Sequence, residues 1–312
     1  MQALIAVILP VFLVMGAGYL AVRAGLFSDT AVDGLMRFAQ NFALPCVLFT
    51  GVAQLDLAAT FQPRLFLSFY IAAFTCFALG TLGARFLFAR SGPDAVAIGF
   101  CCLFSNSLLL GLPIMERAYG AQSLAGNYAI ISIHAPLLYA FGITTMELVR
   151  HHGRGMATAS LAHQIGRGIA TNPLVIGLSL GFAVNFAGNP LPEPVWAAIG
   201  MMARAGLPAA LFGLGGVMVR YRIEGDQRLV AMIAGFSLLV HPGLAWILGT
   251  QVLGLTQAEL RSAIVTAAMA PGINAYIFAN MYGAAKRVAA SAVLVATAAS
   301  VLTVWFWLHL LG

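Results

Sequence analysis

Charge is too scarce in this chain to cover a water-facing surface. Of its 312 residues, 61% are hydrophobic and 8% are Asp, Glu, Lys or Arg, against roughly 25% charged residues in a soluble domain. The apolar residues fall in long runs, approximately 3–22, 32–53, 64–89, 94–116, 124–149, 170–188, 193–219, 229–252, 259–281 and 287–311. An α-helix needs about 20 such residues to cross the hydrocarbon core of a bilayer. Open strands cannot satisfy their backbone in lipid, and the alternation of a membrane barrel is missing. The expectation is an all-α integral membrane protein of about ten transmembrane helices, with no sizeable soluble domain. No basic region precedes the first run and no clear cleavage site follows it. It is therefore expected to be a retained helix and not a signal peptide.

Basic residues give the orientation. Loops following odd-numbered runs carry Arg23, Arg85, Arg90, Arg150, Arg154, Arg167, Arg220, Arg222, Arg228, Lys286 and Arg287, whereas the other loops carry Arg64, Arg117 and Arg261. Both termini are expected outside. The net charge of +6 is a topology signal and gives no reason to expect a nucleic-acid partner. Cys46, Cys76, Cys101 and Cys102 all lie within apolar runs and read as small buried hydrophobes. They show neither a disulfide framework nor zinc spacing.

An internal duplication is visible. Pro10 and Pro45 are spaced as Pro173 and Pro208 are; Leu44-Pro45 through Phe49 matches Leu207-Pro208 through Phe212; Tyr119-Gly120 matches Tyr282-Gly283, all at one offset. Two five-helix halves, 1–149 and 170–312, would flank a linker at 150–169. An odd number of helices per half inverts the second half in the membrane. Linker residues His151, His152 and His163 lack an accompanying carboxylate or Cys at ligand spacing, so no metal is expected.

The fourth and ninth runs carry the functional signal. One contains Ser105-Asn106 and Gly111-Leu112-Pro113; the other contains Pro271-Gly272-Ile273-Asn274. Proline removes a backbone donor and frees a carbonyl one turn back. Such groups at membrane depth are tolerated where they line protein or a wet cavity. Gly/Pro-interrupted helices at matching positions of two halves point to a binding site, and a half-helix N-terminus suits an anion. A harmless kink is the competing reading for either helix alone. Gln40 and Asn41 before Pro45, Arg204 in the seventh run, His134 before Pro136 and His241 before Pro242 are further polar candidates. Arg204 either attracts an anion or pairs with carbonyls freed near Pro208. The two histidines are proton-sensitive groups or interhelical hydrogen bonders.

Absences narrow the class. Asp56, Asp94, Glu116, Glu147, Glu193 and Glu259 all fall near the ends of runs. A cation exchanger would want buried carboxylates, so an anionic or neutral substrate is expected. The one lysine, Lys286, lies at a run's end, which excludes a mid-membrane Schiff base. An intramembrane enzyme would need a nucleophile–base or metal cluster at depth, and the nearest pair, Glu147 and His151, reads as a surface pair. No filter segment of a channel is visible.

These residues resemble the auxin efflux carrier family, which includes the plant PIN-type auxin carriers and bacterial carriers of malonate and malate. The likeness rests on Gly34-Leu35-Met36-Arg37-Phe38 through Pro45, on Asn106 through Gly111-Leu112-Pro113 to Tyr119-Gly120, on Ala205-Gly206-Leu207 through Gly215, and on Pro271-Gly272-Ile273 through Tyr282. It implies a sodium/bile-acid symporter-like fold: a 5+5 inverted repeat whose broken fourth and ninth helices cross at the substrate site. Helices one, two, six and seven would form a scaffold and the other six a transport domain, moving as an elevator. The family's substrate-contacting Asn maps onto Asn106, and its crossover prolines map onto Pro113 and Pro271. A homodimer in a bacterial inner membrane is implied, with no cofactor. The plant carriers' long central loop is short here, Arg204 stands where the plant proteins carry an acid, and their acidic–basic pair has no counterpart around 60–64. The expected function is secondary transport of a small mono- or dicarboxylate; export of neutral or amphipathic metabolites is the alternative. The expected substrate residues are Asn41, Ser105, Asn106, Gly111, Pro113, Arg204, Pro271, Gly272 and Asn274.

Overall fold

The computed structural model describes residues 2–56, 61–150, 166–167 and 170–312, which are helical with no strand among them. In chain order the helices are α1 (Gln2–Arg23), α2 (Asp29–Ala53), α3 (Pro63–Phe86), α4 (Gly92–Leu103), α5 (Leu112–Tyr119), α6 (Ala125–Arg150), α7 (Pro173–Phe186), α8 (Glu193–Met218), α9 (Gln227–Val252), α10 (Gln257–Ala267), α11 (Ile273–Tyr282) and α12 (Lys286–Leu311). Among the described residues, α1, α2, α3, α6, α8, α9 and α12 are the 7 helices long and apolar enough to cross a membrane. The chain is a multi-pass membrane protein.

The remaining three apolar runs behave differently. Runs 94–116 and 259–281 are each divided, into α4 and α5 and into α10 and α11. Run 170–188 gives the shorter α7, where Asn172 Oδ1 accepts from the Leu174 amide at 2.9 Å ahead of Pro173. An Asn cap followed by proline in the first turn is a strong helix start. The linker residues His151, His152 and His163 lie outside the described residues.

Helices pack through small residues. A Cβ on Gly18 would collide with the Phe212 backbone, and one on Gly215 with Met15, so α1 and α8 touch backbone to backbone. A Cβ on Gly181 of α7 would sit 2.8 Å from the Phe49 carbonyl oxygen of α2. Lipid tails are as apolar as leucine, so association rests on close packing and interhelical hydrogen bonds. Asn185 supplies the latter: its Nδ2 donates to the carbonyls of Val52, Ala53 and Leu55 at 3.1, 3.0 and 2.7 Å, capping the end of α2. Asn185→Ala removes this donor from the Ala53 and Leu55 carbonyls, while the Val52 carbonyl keeps the Leu55 amide at 3.2 Å. It is expected to cost about 1–3 kcal/mol, read as a lower melting temperature in detergent.

Two cores divide the helices. One is built from α3, α4, α6 and α9 through α12, centred on Phe69, Phe100 and Phe278. Among the described residues α1, α2, α7 and α8 contribute nothing to it and pack in the second core, with α5, α10, Ile131 of α6 and the end of α12, while α2 and α8 also meet α12 in a smaller cluster around Val32, Val217 and Val293.

The loops sort onto two faces. On one, Arg220 bridges Asp29 and Asp33 at 3.0 and 2.7 Å, and Arg90 bridges Asp226 at 2.9 Å. These are the loops richest in arginine. On the other face Arg117 donates to the carbonyls of Ala6 and Val7 at 2.9 and 3.1 Å, and Arg261 to that of Gly312 at 2.7 Å.

Proline shapes the helices locally. π-helical segments at Ala39–Ala43, Ser107–Gly111 and Phe236–Val240 each end two residues before a proline, Pro45, Pro113 and Pro242. A proline has no amide for the carbonyl one turn back, and its ring crowds that carbonyl. Widening the preceding turn relieves the clash, and such π turns frequently occur at functional sites.

Candidate functional site

Two helix interruptions meet inside the protein. α4 stops at Leu103, and Phe104 takes an extended conformation (φ −92°, ψ 91°) before the chain re-enters helix through Ser107–Gly111. α10 ends at Ala267, and Gly272 (φ −74°, ψ 165°) caps the start of α11. Pro271 disfavours helical geometry at Ala270 before it. The extended pieces pair antiparallel at Ser105 and Pro271. The Asn106 amide donates to the Ala270 carbonyl at 2.9 Å, and the Gly272 amide donates to the Phe104 carbonyl at 3.1 Å. Backbone groups that each break would strand in lipid are thus satisfied by the other break, as irregular backbone at membrane depth requires.

The repeated Tyr-Gly pairs have a local explanation. Gly120 (φ 84°) ends α5 and Gly283 (φ 67°) ends α11. Both need the positive φ that only glycine adopts without strain.

A cavity of about 190 Å³ lies between this junction and α2, α6 and α7. Ser105, Asn106, Ser107, Gly272 and Asn274 face it from the interruptions, Gln40 and Asn41 from the π segment of α2, His134 from α6, and Asn172 from the start of α7. Among the described residues no Asp, Glu, Lys or Arg lines it. Asn106 is 7% exposed, yet its side-chain amide makes no hydrogen bond to any described residue. Ser105 Oγ and Ser107 Oγ are 3.0 Å apart, and Ser107 Oγ lies 3.4 Å from His134 Nε2. The Tyr139 hydroxyl donates to the Asn274 carbonyl at 3.3 Å and lies 3.4 Å from its Oδ1. Among the described residues no cluster of His, Cys, Asp and Glu could hold a metal.

The structure therefore brings together five of the expected site residues, Asn41, Ser105, Asn106, Gly272 and Asn274. Pro271 pairs with Ser105 behind the cavity wall, and Gly111 packs toward Met269. Pro113 and Arg204 stand elsewhere. They line a second cavity of about 1020 Å³ bounded by α1, α2, α5, α6 and α8, together with Asp56, Glu116 and Arg117. Sequence reasoning missed Ser107, Tyr139 and Asn172 as site residues. Asn172 had a readable signal, an Asn immediately before a proline. Tyr139 had none, because one tyrosine in an apolar helix carries no directional information.

The profile of the membrane transport protein family matches residues 3–308. The chain belongs to that family, the auxin efflux carriers. This auxin efflux carrier family member is a membrane transporter and not an enzyme. It is 23% identical over 307 residues to the "Uncharacterized transporter YfdV" of Escherichia coli (strain K12), covering 97% of this chain and 96% of that protein. It is 24% identical over 311 residues to the "Putative malonate transporter" of Rhizobium meliloti (strain 1021), covering 100% of this chain and 97% of that one.

Proposed function

We propose that the protein is a secondary transporter of a small organic anion, a mono- or dicarboxylate, bound where the two interrupted helices meet. The observation that carries this reading is Asn106, 7% exposed, whose side-chain amide makes no hydrogen bond to a described residue and faces a polar cavity at the junction. Buried polar groups are normally hydrogen-bonded, so an unpaired one in a cavity suits a ligand that supplies the partner. The first-turn amides of α11 beside it add donors and a positive dipole end. The malonate named for the Rhizobium relative is a substrate of this class.

In this reading the ten apolar runs are ten passes, arranged as two inverted five-helix halves with α4/α5 and α10/α11 as the crossing pairs. Helices α1, α2, α7 and α8, which share the second core, act as the scaffold. The helices of the first core, together with α5, form the transport domain, which slides against the scaffold as an elevator. The cavities of about 190 and about 1020 Å³ are lined by residues of both groups. The arginine-rich face is cytoplasmic, both termini lie outside a bacterial inner membrane, and scaffolds pair in a homodimer.

A second reading, export of neutral or amphipathic metabolites, draws on the smaller cavity's lining, which holds no Asp, Glu, Lys or Arg among the described residues. Counterflow in proteoliposomes separates the two. Vesicles loaded with malonate are expected to accumulate labelled malonate, and malonamide is expected not to compete. Competition by the diamide equal to that of the acid would favour the neutral-substrate reading.

A further inference from the structure

A carboxylate that enters the smaller cavity meets no positively charged side chain among the described residues. Of the described residues that line it, Gln40, Asn41, Asn106, Asn172 and Asn274 supply dipoles only, and His134 is the one able to gain a charge near neutral pH. Moving an unpaired anion into such a site carries a large desolvation cost. We infer that His134 takes up a proton when the anion binds, so that the protein carries one proton with each carboxylate; this rests on the anion-transport reading above.

The geometry suits that role. His134 is 4% exposed. Its Nε2 faces Ser107 Oγ at 3.4 Å, within two residues of Ser105 and next to Asn106. Its Nδ1 is buried and has no hydrogen-bond partner in the described structure. On protonation both ring nitrogens become donors, and the bound carboxylate supplies the missing negative charge.

Among the described residues, aromatic rings pack around His134, with a second histidine, His241, beyond them. Across from His134 on α3 stand Phe69 and Tyr70, with ring centroids at 5.6 and 6.2 Å, and Phe104 stands at 4.8 Å. The Tyr70 hydroxyl donates to the Ile130 carbonyl at 2.9 Å. On α9, His241 lies behind Phe69, its ring 5.0 Å from that phenyl, and does not line the cavity. Tyr139, on the same helix as His134, is turned to Asn274. Ser105 and Ser107 complete the shell.

The step balances simply. A carboxylate and one proton enter from the same side, the proton adding to the imidazole to give imidazolium. Both leave on the other side and restore the neutral ring. A monocarboxylate then crosses with no net charge, and a dianion with one negative charge.

Calorimetric titration of the purified protein with malonate, in two buffers of different ionisation enthalpy near neutral pH, counts the protons. About one proton taken up per malonate is expected for the wild type. Affinity should then fall about tenfold per pH unit over the range in which a full proton is taken up, and level off above it. His134→Gln, checked for folding by its melting curve, is expected to bind weakly with a dissociation constant insensitive to pH; His241→Gln should keep the uptake. Any uptake that persists in folded His134→Gln belongs to malonate itself and, if equal to that of the wild type, overturns the inference. Wild-type binding that Asn106→Ala abolishes but that takes up no proton overturns the inference and spares the transport reading. No malonate binding at all overturns both.

Discussion

Asn106→Ala is expected to weaken carboxylate binding by roughly 10- to 150-fold, while the folded protein without ligand melts within a degree or two of wild type. The two halves of this expectation have separate origins. A hydrogen bond to a charged group contributes about 1.5–3 kcal/mol, and 1.4 kcal/mol is about tenfold in affinity. The ligand-free fold loses little, because the side chain bonds to no described residue. The backbone bond that holds the junction, Asn106 amide to Ala270 carbonyl at 2.9 Å, is kept by alanine. Thermal melts with and without malonate read both halves. A large loss of stability without ligand would mean that Asn106 is structural.

Gly215→Val is expected to have the largest effect on folding, about 3 kcal/mol or more, seen as aggregated or poorly extracted protein. A Cβ at Gly215 would overlap the Met15 carbonyl of α1. No rotamer relieves a clash between a Cβ and a backbone, so α1 and α8 must separate along the seam where Gly18 also meets Phe212. Overpacking of even flexible cores costs about 1–3 kcal/mol. Gly16→Val is the control on the same helix pair, since a Cβ at Gly16 meets nothing within 4 Å. It is expected to leave melting nearly unchanged.

Much of the fold was legible because lipid imposes a simple rule. Runs long enough to span, arginine in alternate loops, and Pro/Gly pairs in two apolar runs followed from residue types alone. The bounds of α3, α6 and α8, for example, fall within a few residues of the expected runs. What was not legible is which face of each helix turns inward. In water, an apolar stripe marks the buried face. In α7 the buried positions include Gly177, Leu178 and Gly181, while Ile176 and Leu180 point outward. Apolar residues occupy both faces, so the stripe vanishes. That is why Arg204, expected near Asn106, falls in the larger cavity, and why Ser107 and Tyr139 went unnoticed. The backbone bond between Asn106 and Ala270 was not legible in spacing or composition, since nothing local links residues so far apart; only the family resemblance implied that the fourth and ninth runs meet.

The central claim is that the helix junction binds a small carboxylate. Ligand-induced thermal stabilisation of the purified wild-type protein tests it most directly, across acetate, malonate, succinate, their amides and amino acids. A ligand at about 100 times its dissociation constant adds roughly 2.7 kcal/mol, enough to shift the melt by a measurable amount. Stabilisation by one or more carboxylates, absent with the matching amides and lost in Asn106→Ala, is the predicted result. Stabilisation by amides alone, or by carboxylates equally in wild type and Asn106→Ala, would contradict it.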